Sequence, residues 1–227
     1  MNRTVLVLKM LTGVFALAVF LSPVSASEKP ESPVAPVNIT YKKYLSEGDF
    51  FAVSIPDGWS KEEKDFAHAY TRTGDKVCGV ELSGPHNGDA RPTISVLYYE
   101  YGQFFKNYGG YISLKTGSFT RIAPEKDVSI TNTTVAGREA KKFEIEKFEL
   151  IPLPFDPPDS KEGIMYEIAP PSKKVTIMER YIVIPAEKGF YVLSYRAPEG
   201  IAKEHESVFN KVVSSFEPHE KQAKPSR

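Results

Sequence analysis

Residues able to carry catalysis are scattered along this chain and do not form a motif. The sequence contains no HExxH, no CxxC, no GxSxG nucleophile elbow and no phosphate-binding glycine loop. No spacing favours any pair of carboxylates, so a hydrolase is the weakest alternative. We therefore predict that the protein is not an enzyme and has no cofactor. The four histidines show no metal-ligand spacing: they are His68, His86, His205 and His219.

The single cysteine and one glycine-rich loop are the remaining chemical candidates. Cys78 lies in an alternating apolar pattern, which predicts a buried thiol on the inner face of a strand. In the loop at residues 84–89, His86 and Asp89 are potential metal ligands, but a cation would need further ligands from elsewhere. A solvated turn is the favoured interpretation, and we predict no metal site.

An aromatic cluster is the first candidate for binding. Seven aromatic residues lie between Tyr98 and Tyr111, and no single side of a strand or helix can bury them all. One interpretation is a surface that contacts a partner through Tyr98, Tyr101 and Tyr108. The alternatives are that half of the rings are core, or that the same three tyrosines line a pocket for a small molecule or carbohydrate between sheet and helix.

A proline-rich insertion at residues 150–174 is the second candidate. Loops of this length are uncommon in compact domains and tend to be functional or disordered. Prolines lower the entropy that is lost on binding, while apolar side chains supply contact area. The alternative is a stiff loop folded against its own domain. The predicted contact residues are Pro154, Phe155, Pro157, Met165 and Tyr166.

The elements that must position these residues follow from hydrophobic periodicity. Alternating patterns predict antiparallel strands, and Gly137 permits a tight hairpin turn between two of them. A helical period predicts one helix within residues 103–114 and an amphipathic helix at residues 201–216. The predicted strands lie at residues 51–55, 66–71, 77–82, 93–99, 128–134, 139–149, 175–184 and 190–197.

The ends of the chain have distinct compositions. Residues 1–26 read as a signal peptide, because a positive start precedes a 12-residue apolar run that is too short to span a bilayer. Residues 27–38 are a proline-rich linker, and residues 219–227 are a polar tail. We therefore expect one domain at residues 39–218 in an extracytoplasmic compartment, periplasmic or secreted, with no membrane insertion after cleavage.

Charge and cysteine content limit the possible partners. The 29 basic residues are balanced by 29 acidic residues, so the electrostatic case for nucleic acid or polybasic membrane binding is absent. A lone cysteine excludes an internal disulfide, and the fold must be stabilised by packing.

Three structural motifs are distinctive: the run Phe51–Trp59, the turn at residues 136–140, and the strand at residues 190–195 followed by the helix at residues 209–216. Together they resemble the PsbP-like family and related bacterial exported proteins of unassigned function. The resemblance implies an α-β-α sandwich of the α+β class, with a central antiparallel sheet of six or more strands flanked by helices. This fold is shared with the Ran-binding nuclear import factor. The resemblance also implies a non-enzymatic accessory or assembly protein.

The leading functional prediction combines the two candidate surfaces. We expect an exported accessory protein that binds another protein through the proline-rich insertion and the neighbouring aromatics. The alternative is a small-molecule or carbohydrate carrier with an aromatic-lined pocket.

Overall fold

The computed structural model describes residues 39–65, 77–86, 90–117, 128–154 and 171–219. These residues all belong to one compact unit, Asn38–Arg227. The predicted signal peptide, the linker, nearly all of the tail and the strand predicted at residues 66–71 lie outside the described residues, and so do Phe155, Pro157, Met165 and Tyr166. Within the described ranges, no helix is long and apolar enough to cross a membrane.

A seven-stranded antiparallel sheet forms the centre of the fold and confirms the predicted fold class. Its strand order is β3-β4-β5-β9-β8-β7-β6. The hairpin between β6 and β7 turns at Gly137, whose φ of 73° is the positive value that the sequence predicts. The strands are β3 (Ser60–Asp65), β4 (Val77–Ser83), β5 (Thr93–Glu100), β6 (Thr131–Val135), β7 (Arg138–Pro152), β8 (Ser172–Pro185) and β9 (Gly189–Pro198).

A second sheet of three strands packs beside the first. It contains β1 (Tyr41–Leu45), β2 (Phe51–Pro56) and β10 (Glu217–Pro218), in the order β1-β2-β10. Of these strands, the sequence predicted only β2, because its side chains are mostly buried. Four of the five residues of β1 are exposed or half-buried, so its pattern carries little apolar alternation.

Helices cover both faces of the large sheet. On one face, α2 (Glu199–Ala202) and α3 (Glu206–Ser214) join the small sheet around a core that contains Tyr98 and Tyr191. On the other face, α1 (Tyr108–Thr116) packs on a second core that contains Tyr99 and Phe190. Successive residues of one strand therefore enter different cores, as the two-residue period of a strand requires.

Both predicted helices need correction. Helix α1 begins later than the predicted residue 103, because the Asn107 side chain caps it by accepting a hydrogen bond from the Gly110 N–H at 3.0 Å. The helix predicted at residues 201–216 is divided into α2 and α3. Between them the backbone makes tighter turns, in which Glu204 N donates to Ile201 O and Glu206 N donates to Lys203 O.

Candidate interaction site

A two-stranded projection extends the large sheet at one end. Strand β9 ends at Pro198, opposite Ile177, whereas β7 and β8 continue to pair as far as Pro152 and Ser172. We call the segments Phe148–Pro152 and Ser172–Thr176 the arm. Proline at its end is tolerated because a strand without a neighbour on one side does not need every N–H.

The arm holds the two ends of the insertion together. The N–H of Leu153 donates to the carbonyl of Pro171 at 2.8 Å, so the ladder continues one step beyond the two strands. Residues 155–170 therefore begin and end at neighbouring points. Residues 155–170 themselves lie outside the described ranges.

The arm and the residues just beyond it expose apolar side chains to solvent. The side chains of Leu150 and Leu153 are 63% and 43% exposed, and Pro154 beyond them is also exposed. On the same arm, the Lys174 ammonium lies 4.1 Å from the centre of the Phe148 ring. Apolar groups kept in water on a projecting element are typical of contact sites, since burial against a partner would release about 25 cal/mol per Å².

A partly buried ionic network fastens the root of the arm to the sheet. The Glu179 side chain is only 10% exposed, and one of its oxygens lies 2.8 Å from Lys147 Nζ and 3.5 Å from Arg196 Nε. Tyr181 donates its hydroxyl to the other oxygen at 2.7 Å. Arg196 also pairs with Glu149. The network joins β7, β8 and β9 at the point where β9 ends, so it holds the arm in line with the sheet.

The electrostatics of Glu179 make this network dependent on pH. Burial raises the pKa of the Glu179 carboxyl. The hydrogen bond and positive charge of Lys147 and the hydrogen bond from the Tyr181 hydroxyl lower the pKa by more than burial raises it, so the pKa lies below its ordinary value. Because the pKa of Glu179 is lower in the folded protein, its ionised carboxylate stabilises the fold. This stabilisation is fully present above the unfolded pKa of about 4.3 and is lost as the pH falls through the folded pKa.

Replacing Glu179 with Gln is therefore expected to lower the free energy of unfolding by about 2 kcal/mol at pH 7, since hydrogen bonds to charged groups are lost. The difference from the wild type should shrink at pH 3, because this pH lies below the unfolded pKa of about 4.3, where the stabilisation from the ionised carboxylate begins to be lost. Urea denaturation at both pH values measures this. Glu217→Gln, at the exposed ion pair with Lys43, is the control and should change little. An equal loss at both pH values for Glu179→Gln would contradict the assigned role.

The structure separates the three tyrosines that the sequence grouped. Tyr98 is 1% exposed and stacks on Phe50 at 4.3 Å in the α3-side core, so its predicted contact with a partner is wrong. Tyr101 and Tyr108 are half-buried beside the opposite core. A pocket lined by all three is also wrong, because strand alternation places Tyr98 on the other face of the sheet.

The aromatics and the arm also lie at opposite ends of the large sheet. The N–H of Tyr101 donates to the Lys188 carbonyl, next to the end of β8 at Pro185. The arm contains the other end of β8, at Ser172. A 14-residue strand with a rise of about 3.3 Å per residue spans roughly 40 Å. The described ends of the insertion and the tyrosines therefore do not form one continuous surface.

A polar cleft lies near Tyr108, and no motif in the sequence predicts it. Its volume is about 350 Å³, and it opens between the start of α1 and the edge of the sheet at β6 and β7. Lys141 Nζ donates to Asn132 Oδ1 at 2.6 Å in its wall. One aromatic ring among amide, hydroxyl and charged groups is a composition that suits a polar ligand. The lining includes Tyr108, Asn132, Thr134, Glu139 and Lys141.

The other chemical candidates are structural where the structure describes them. Cys78 is buried, as predicted, and no group of three or more metal-binding side chains occurs among the described residues. Asp89 lies outside those residues. His205 packs edge-on against Trp59 with ring centres 5.8 Å apart. His219, predicted to belong to the tail, instead contacts the domain, with its Nδ1 2.7 Å from Asp49 Oδ1.

Comparison with known proteins adds structural neighbours. No family model matches the sequence, and no curated protein matches it. The cyanobacterial PsbP protein (CyanoP) from Synechocystis sp. PCC 6803 is similar in structure, with a TM-score of 0.44 and 12% identity over 84% of this chain and 100% of that chain. LpqN, involved in cell envelope biogenesis of Mycobacterium tuberculosis, has a TM-score of 0.41 and 16% identity over 80% and 91%. Similarity at this level assigns no function, and membership of the PsbP-like family stays a prediction.

Proposed function

We propose that this chain is an exported, non-enzymatic accessory protein that binds a macromolecular partner through the arm and the insertion at its end. The observation that carries the proposal is the exposure of Leu150 and Leu153 on a projection of paired strands. The export rests on the predicted signal peptide. The charge balance of the sequence favours a protein partner over nucleic acid.

The way in which the arm is built supports a binding role. The ionic network at its root orients the projection, so little conformational entropy remains to be lost when a partner binds. The insertion is presented at the end of this oriented element, and its prolines restrict its backbone. Binding residues are commonly carried on loops that a rigid scaffold positions.

Replacing residues 154–170 with Asn-Gly is expected to abolish capture of the partner without unfolding the domain. The Leu153 N–H already donates to the Pro171 carbonyl. The same variant carries Pro171→Thr, so that the residue after the two-residue Asn-Gly turn has an N–H to donate back to the Leu153 carbonyl. The measurement is a crosslinking pull-down from the native extracytoplasmic fraction, followed by identification of the captured protein and measurement of its Kd in purified form.

Point variants locate the contact more finely. Leu150→Ser and Leu153→Ser together should weaken binding at least tenfold, since two apolar contacts are each worth about 1 kcal/mol or more. Leu45→Ser is the matched control, because Leu45 is 56% exposed but lies on β1, away from the arm. Equal binding by the arm variant and the control, or a large drop in thermal midpoint for the loop replacement, would contradict the proposal.

The polar cleft at Tyr108 favours a second candidate function, the binding of a carbohydrate or similar polar ligand. A thermal-shift screen with oligosaccharides would raise the midpoint through mass action if such a ligand binds. Tyr108→Ala should remove the shift, because it deletes the only aromatic ring among the lining residues that the structure describes. A shift that persists in this variant would place the ligand elsewhere.

A further inference from the structure

In the part of the chain that the structure describes, the outer edge of β7 is open over much of its length. Strand β6 pairs with β7 only from Arg138 to Lys142, while β7 continues to Pro152. Among the described residues, no strand pairs with this edge beyond Lys142. An open edge presents backbone donors and acceptors that can pair with another strand. The opposite edge of the sheet is different, because β3 has the sequence SKEEKD and is protected by charge.

The direction of the backbone groups along this edge follows from the ladder. The register between β7 and β8 is continuous, and Leu153 N donates to Pro171 O. Odd-numbered residues of β7 therefore face β8, and even-numbered residues such as Phe148 and Leu150 direct their backbone groups to the open edge. On the side of β6, Val135 and Arg138 flank the two-residue hairpin turn and form a hydrogen-bonded pair, which agrees with this assignment of the even-numbered residues.

The charge pattern of this edge is self-complementary in one register. If two copies pair antiparallel about a two-fold axis at Phe148, Lys147 lies opposite Glu149 of the partner subunit, and Glu149 lies opposite the partner's Lys147. Leu153 then lies opposite Phe143 of the partner subunit. Opposite charges directly across an antiparallel pair are stabilising, whereas like charges are destabilising.

Neighbouring registers are unfavourable. An axis at Glu146, Lys147 or Glu149 places that charged residue against its own copy. An axis at Leu150 also avoids like charges among residues 146–149, but it places Glu149 opposite Ile151 and Lys147 opposite Leu153. Only the register centred on Phe148 sets Lys147 opposite Glu149. The same residue is also the midpoint of the stretch from Phe143, where β6 no longer covers β7, to Leu153, where the ladder ends.

We propose that the protein forms a two-fold symmetric homodimer in which the outer edges of β7 pair antiparallel, with Phe148 opposite Phe148 of the partner subunit. The two large sheets then form one continuous sheet, and the two arms lie side by side and point in opposite directions. A closed two-fold interface of this kind uses one surface on both subunits and removes the open edge. The inference does not depend on the function proposed for the insertion.

Charge substitution at the axis tests the dimer. Phe148→Lys and Phe148→Glu each place like charges against each other across the axis, and each should weaken the dimer about tenfold or more. Mixing the two variants should restore a dimer that contains one copy of each, because lysine then faces glutamate. The measurement is sedimentation velocity over a range of concentrations, with the protein expressed from its full sequence so that its processing is native.

Controls separate pairing from folding. Phe148 is half-buried on the arm, so the thermal midpoints of both variants should stay close to that of the wild type. Leu45→Lys and Leu45→Glu make the same kind of change at an exposed site on β1 and should leave the dimer intact.

Three results would overturn the proposal: a wild-type monomer at all concentrations, dimers of both Phe148 variants as tight as the wild type, or no recovery on mixing. A dimer that survives replacement of residues 154–170 while partner capture is lost would support both proposals separately.

Discussion

Gly79→Ala is expected to remove most of the stability of the domain. Gly79 lies inside β4 with a φ of 148°, a backbone conformation that other residues rarely adopt. A Cβ atom at this position would lie 2.1 Å from the Val96 carbonyl oxygen and 2.9 Å from Leu97 Cα, both in the backbone of β5. Backbone atoms of a central strand cannot move aside singly, so β4 and β5 would have to separate.

The expected loss exceeds about 4 kcal/mol, a large share of the roughly 5–15 kcal/mol by which a domain is stable. Gly137→Ala is the matched control. Gly137 also has a positive φ, at 73°, but no atom lies within 4 Å of its added Cβ. It should therefore lose only about 1–2 kcal/mol from backbone strain. Guanidinium denaturation of the two variants measures the difference, and equal losses would show that close strand approach is not what requires glycine at residue 79.

The sequence predicted the sheet best where strands are buried on a regular pattern. The strand predicted at residues 175–184 lies within β8, and the one predicted at residues 190–197 lies within β9. Many side chains of these strands pack into a core, so their sequences contain a regular pattern of apolar residues. Strand β3 went unpredicted, since a charged edge strand has no apolar alternation. The predicted end of β7 at residue 149 fell short, because Pro152 read as loop although an edge accepts proline.

The candidate site was predictable only in part. The proline-rich composition predicted an insertion at residues 150–174, but β7 continues to Pro152 and β8 begins at Ser172, so the two ends of that range are strands. The arm that these strands form depends on where β9 ends, which only the three-dimensional pairing reveals. The tyrosines were misassigned because helices cover both faces of the sheet. Tyr98 and Tyr99 can then both be buried, one in each core, whereas the argument from sequence allowed only one buried side.

Phe190→Ala is expected to detach the α1 layer from the sheet. Phe190 is fully buried and stacks on Tyr99, with ring centres 5.0 Å apart and planes 5° from parallel. The rings of Phe105, at 5.8 Å, and Tyr111, at 5.5 Å, also contact it. Truncation of a buried phenylalanine costs about 3–5 kcal/mol through lost contacts and a residual cavity. Phe190 contacts rings from β5, from α1 and from the segment before α1, so its truncation weakens all three of these contacts.

The effect should be local before it is global. Hydrogen exchange at the α1 amides should become faster by two or more orders of magnitude, since about 1.4 kcal/mol changes an equilibrium tenfold. The amides of α3, which pack on the other face of the sheet, should keep more of their protection. Tyr191→Phe is the adjacent control, because it removes only the hydroxyl that donates to the Phe50 carbonyl at 3.0 Å and should cost about 1 kcal/mol. Equal loss of protection in α1 and α3 for Phe190→Ala would mean that the two faces of the sheet unfold as one unit, and that the aromatic cluster around Phe190 does not act as a separate support for α1.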